Sequence, residues 1–152
     1  MNRTLISSAV VCGFAHLSIG PEITAADVAA LRERVGADPI SREFADALFA
    51  AERRAGRSCP EWTSFFVETI TDHVVWQSRP TGVIDAGKAD WLFERVKAAN
   101  SLTAFAALIN VLAEADRVPA WLVPAARSLA AAGLPGSELA YRAAVEQESL
   151  AA

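Results

Sequence analysis

Apolar positions recur along this chain at three- and four-residue intervals, the spacing that lines one face of an α-helix. Leu5 to His16 is the first such run. Val28, Leu31 and Val35 mark a second, which Thr24-x-x-Asp27 opens as a capping box and Gly36 closes. Phe44, Leu48 and Phe49, with Ala45 and Ala51 around them, predict a third that starts at Asp38-Pro39 or at Ser41 and runs to about Arg54. The fourth, Trp62 to about Trp76, is the most apolar in pattern. Phe65, Phe66, Thr69, Ile70, His73 and Val74 fall near one another on its helical wheel, which predicts a central helix. Asp85 caps a fifth carrying Trp91, Leu92, Phe93 and Val96. Phe105, Leu108, Ile109 and Leu112 stripe a sixth, Leu102 to Ala115. The seventh, about Ala120 to Ala132, holds Pro124 near its first turn, where proline is tolerated. Ser137 caps an eighth, Glu138 to about Glu148.

No segment shows sustained strand alternation, and the connections are short. The pattern predicts an all-α fold, a single domain over residues 1–152, with seven or eight short helices packed as helical hairpins. Composition agrees: with 53% apolar and 21% charged residues, the chain has enough apolar surface for one core and too little charge for disorder. The net charge is −4, and the arginine groups (Arg32 and Arg34; Arg53, Arg54 and Arg57) lie beside Glu33 and Glu52. That is no basic footprint, so nucleic acid is not an expected partner. Cys12 and Cys59 are too few for a disulfide framework and form no C-x-x-C pair, so they read as reduced thiols in a cytoplasmic protein. Met1-Asn2-Arg3 followed by Leu5 to Leu17 carries a faint outline of a secretory signal. The run includes Ser7, Ser8 and His16, lacks a following A-x-A site, and is too short to span a membrane. A first core helix is the favoured reading.

One phrase repeats. Ile23-Thr24, Ile40-Ser41 and Ile84-Asp85 each join a tight connection to a capping residue and then a helix. This is the outline of an EF-hand turn, whose calcium loop needs oxygen ligands at positions 1, 3, 5 and 12 and a glycine at 6. With each isoleucine at position 8, the first loop offers His16, Ser18, Gly20 and Asp27, with Pro21 at the glycine position. The second offers Glu33, Val35, Ala37 and Phe44, with Asp38 at the glycine position. The third offers Gln77, Arg79, Thr81 and Lys88, with Gly82 correctly placed. Two cations and no carboxylate among those ligand positions oppose a bound ion in the third loop. Calcium is disfavoured at all three, and no other metal or cofactor is expected.

The phrases Pro80 to Asp85 followed by Ala89-Asp90-Trp91-Leu92, and Pro39 to Glu43 followed by Ala45-Asp46-Ala47-Leu48, resemble degenerate EF-hand-like proteins. The wider pattern, over about residues 20 to 125, is similar to the tellurite-resistance TerB-like domains. Those use helical hairpins with a D-G-x-I/V-x-x-x-E turn. Pro60-Glu61-Trp62 through Phe65, Phe66 and Asp72 also resembles a segment found in bacterial proteins. The resemblance implies an EF-hand-like helical scaffold without intact calcium loops. The acidic metal-binding positions of such families do not match here, so it carries over no functional residue.

Several residues remain candidates for chemistry. Cys12 and His16, four apart on one helix face, supply half a zinc site that only Cys59 and His73 remain to complete. Glu68 and Asp72 share a face of the fourth helix, with His73 adjacent, and an acid pair buried there would suit general acid–base work. Trp62, Trp76 and Trp91 are candidate walls of a ligand pocket, and core packing is the competing role. No Walker motif, G-x-S-x-G elbow or H-E-x-x-H helix is present. The expected function is therefore a non-enzymatic cytoplasmic protein-interaction or adaptor domain, acting on a protein partner or as a homodimer, with no membrane role. The alternatives are a TerB-like metal-ion or stress-response protein, and an enzyme using Glu68, Asp72 or His73.

Overall fold

The computed structural model describes residues 19–36 and 38–132. Six α-helices lie within them: α1 (Ala25–Val35), α2 (Arg42–Arg54), α3 (Pro60–Thr71), α4 (Ala86–Ala99), α5 (Leu102–Glu114) and α6 (Leu122–Ala131). The expected helices Leu5–His16 and Glu138–Glu148 fall outside the described residues. Local chemistry sets most of the starts. Thr24 and Asp27 form the reciprocal capping box, with the Asp27 carboxylate 2.9 Å from the Thr24 N–H. Ser41, Asp85 and Ser101 each accept from the backbone N–H three residues on. Helix α3 has no side-chain cap and opens on Pro60, whose missing N–H leaves no donor unserved there. Helix α4 ends at Asn100 in the left-handed region.

One departure lies inside the expected fourth helix. After Thr71 the backbone widens into a π-helical turn, Asp72–Trp76, in which the Gln77 N–H bonds to the Asp72 carbonyl five residues back.

The helices are tied in pairs by backbone bridges. Strand β1 (Glu22–Ile23) pairs in parallel with β2 (Arg57–Ser58), so that Ile23 lies opposite Ser58. Val83 bridges to Arg117 in the same sense, with the Ile84 N–H on the Arg117 carbonyl at 2.9 Å. The first bridge closes over α1 and α2, the second over α4 and α5. Each bridge's second segment then enters a helix through Pro-x-Trp: Pro60-Glu61-Trp62 and Pro119-Ala120-Trp121. The three isoleucine phrases are therefore not equivalent. Ile23 and Ile84 sit at bridges. Ile40 makes none: its N–H donates to Gln77 Oε1 at 2.6 Å, and its carbonyl accepts from His73 Nδ1 at 2.8 Å. A repeated side-chain pattern marks a turn into a helix, but bridge pairing is a backbone property that Ile40 does not share.

Helix α3 is central, packing along α5 and also against α1 and α2. Trp62, Phe66 and Ile70 of α3, Leu48 of α2, Leu92 and Val96 of α4, and Phe105 and Leu108 of α5 are buried in one cluster. The Phe49 and Phe66 rings meet in a T-shaped pair with centroids 5.0 Å apart. Helix α6 rests on α4 and α5. No helix among the described residues is long and apolar enough to cross a membrane.

Candidate functional site

A cleft of about 470 Å³ opens along α3. Phe65, Glu68, Thr69 and Asp72 form its floor. Arg32 and Val35 of α1, with Ile40, form one wall, and Asn110 and Glu114 of α5 form the other. Trp76 stands at the end of the π-helical turn with 45% of its surface exposed.

The polar groups in the cleft are tied to one another. The Trp76 indole N–H donates to Glu114 Oε2 at 2.8 Å, which fixes the ring's direction. The Asn110 amide donates to Thr71 Oγ1 at 2.9 Å and to Glu114 Oε1 at 3.2 Å. Arg32 pairs with Glu68 at 3.2 Å, with both side chains exposed, and its guanidinium also lies over the Phe65 ring. An ion pair so exposed to water adds little stability. Asp72 accepts from the Gln77 amide at 3.4 Å.

Of the six residues singled out from the sequence, Glu68, Asp72 and Trp76 meet in this cleft. Trp62, His73 and Trp91 do not line it. Trp62 is fully buried, with its N–H on Glu52 Oε2 at 2.5 Å. Trp91 belongs to a second cluster. Its N–H donates to Asp46 at 2.9 Å, its ring lies under the Arg42 guanidinium at 4.4 Å, and His73 stands against it at 5.6 Å. The three tryptophans therefore occupy three different places. Asn110, Glu114, Arg32 and Phe65 also line the cleft and were not anticipated from sequence as site residues. The one signal for them is Asn110, a lone polar residue within the otherwise apolar run of α5.

His73 holds a structural post. The Ile40 carbonyl can only accept, so Nδ1 carries the proton and the ring is in that tautomer. With Gln77 on the Ile40 N–H, the π-helical turn grips both backbone groups of the cleft wall. Burial lowers the His73 pKa below its ordinary 6.5; the Ile40 hydrogen bond opposes this, Arg42 and Lys88 add to it, and Asp46 opposes it. A folded-state value below the unfolded one favours the neutral ring. Its contribution to stability is complete above pH 6.5 and is lost as pH falls through the lowered value. Melting temperature should therefore fall more steeply below pH 6.5 in the wild type than in His73→Gln, which keeps a donor but does not titrate. Equal slopes in the two proteins, read by differential scanning calorimetry, would contradict this role.

The calcium-like loops show how their ligand positions are used. Asp27 holds the Thr24 cap. Lys88 points its ammonium at the carbonyls of Val74 and Val83, at 3.4 and 3.3 Å. Cys12 and His16 lie outside the described residues, and Cys59 is a free, half-buried thiol. Among the described residues, no group of three His, Cys, Asp or Glu side chains is placed to hold a metal. No protein-family model, curated protein or solved structure matches the chain.

Proposed function

We propose that this chain is a non-enzymatic protein-interaction module whose acceptor surface is the cleft along α3. The observation that carries this reading is Trp76: a large aromatic ring, exposed within a concavity and oriented by its bond to Glu114. Tryptophan is enriched among residues that dominate binding energy at protein interfaces. The paired helix–turn–helix units suit an EF-hand-like scaffold that presents a groove without calcium. Acid–base catalysis is disfavoured because Glu68 is ion-paired in solvent and His73 is bonded to Ile40 outside the cleft.

Quantitative affinity isolation from the source cell tests this. The wild type, Trp76→Glu and Trp121→Glu are compared, because Trp121 is also exposed but lies away from the cleft. The expected result is a protein, or a second copy of this chain, retained by the wild type and Trp121→Glu and lost with Trp76→Glu. Equal retention by all three would defeat the proposal.

A further inference from the structure

We infer that the cleft's occupant is a basic helical segment of a partner protein, which sets an arginine or lysine against Trp76 between Asp72 and Glu114. The inference rests on the reading of the cleft as an acceptor surface and adds the chemistry of what it accepts.

The lining holds three carboxylates and one guanidinium, and Arg32 is already engaged by Glu68. Asp72 and Glu114 are met only by neutral donors among the described residues: the Gln77 amide, the Trp76 indole and the Asn110 amide. Neutral donors orient a carboxylate and leave its charge uncancelled. A cation entering here meets two exposed carboxylates that no cation among the described residues offsets, an attraction that salt screens.

Trp76 is held by its N–H, so its exposed surface stays beside Glu114. A guanidinium or ammonium over an indole face gains a further cation–π attraction, strongest for tryptophan. The lining residues of α3 and the π-helical turn run from Phe65 to Trp76, about three turns of helix. A lone cation meets one end of that span; an amphipathic helix laid along it meets the whole length, with half-buried Val35 on the wall for its apolar side chains.

The probe is a synthetic peptide of about 12 residues, with arginine and leucine on one helical face, titrated into the full chain by isothermal calorimetry. Binding is expected to weaken about tenfold in Asp72→Asn/Glu114→Gln, where glutamine still accepts from Trp76. It should also weaken with added salt and be unchanged in Trp121→Phe. Melting curves of the variants matching the wild type establish that all are folded. A peptide with glutamate for arginine should not bind. Three results would overturn the inference: no binding of the arginine peptide, binding indifferent to the double substitution, or free arginine binding as tightly as the peptide. If the arginine peptide fails while affinity isolation still shows a Trp76-dependent partner, the interaction reading stands and only the basic occupant falls.

Discussion

Trp62→Ala is expected to cost about 4 kcal/mol of folding stability. Trp62 is fully buried at the start of the central helix, against Phe65 at 6.1 Å and Phe66 at 5.7 Å. Alanine would leave a cavity that the flanking rings cannot close. The polar half of the cost can be separated. Trp62 donates to Glu52, a carboxylate that is itself almost wholly buried. Trp62→Phe keeps most of the packing and removes the donor, so about 2 kcal/mol should go with the unpaired acceptor. In that background, Glu52→Leu should recover part of the loss, while in the wild type it should destabilise. Urea unfolding of the four proteins gives the cycle. A Trp62→Phe protein as stable as the wild type would show that the hydrogen bond contributes nothing. Trp121 supplies the internal contrast. It occupies the same Pro-x-Trp position before α6 but is 39% exposed beside Phe93. Trp121→Ala should cost about 1 kcal/mol or less.

Gly82→Ala is expected to cost about 1–2 kcal/mol, chiefly from backbone strain. Gly82 has φ of 79°, in the left-handed region where a Cβ is strained. A Cβ there would also displace the exposed Asp116 carboxylate, a flexible end that swings aside at small cost. The residue cannot readily shift, because its N–H bonds to the Val75 carbonyl and its own carbonyl accepts from Asp116 and Arg117. Those bonds hold the second bridge. Gly87→Ala should act in the opposite direction. Gly87 lies in the first turn of α4, and its Cβ would meet only Asp85 at an ordinary 3.5 Å, so alanine should stabilise by about 0.5 kcal/mol. Thermal melts that rank Gly87→Ala above the wild type and Gly82→Ala below it would support this account. Gly82→Ala melting with the wild type would contradict it.

What the sequence made legible is local. Thr24, Ser41 and Asp85 cap because a side-chain oxygen needs only the N–H three residues on. The stripes Phe65–Phe66–Ile70 and Phe105–Leu108–Ile109 mark core faces because helical spacing is a property of one segment. Trp62 and Trp91 could not be assigned in this way, since an indole serves a core or a pocket equally well on a helical wheel. The bridges were illegible for a related reason: Ser58 and Arg117 pair through backbone atoms, which leaves no mark on residue type beyond the following Pro-x-Trp. The cleft joins Arg32, Asp72 and Glu114 from three separate stretches of chain. Its acids look like solvated surface residues until the helices are assembled. Glu68 and Asp72 were visible as neighbours at i and i+4, but Glu114, which orients Trp76, was not.

The most direct test of the cleft as an acceptor surface is site-specific photocrosslinking in the source cell. A photoreactive residue at Glu68, in the cleft, is compared with one at Asp90, exposed on α4 and absent from the cleft lining. The account predicts one discrete crosslinked species from position 68 and none from position 90, with the partner's crosslinked peptide carrying arginine or lysine within a helical turn of the attachment. The same products from both positions, or a product from position 90 alone, would contradict it.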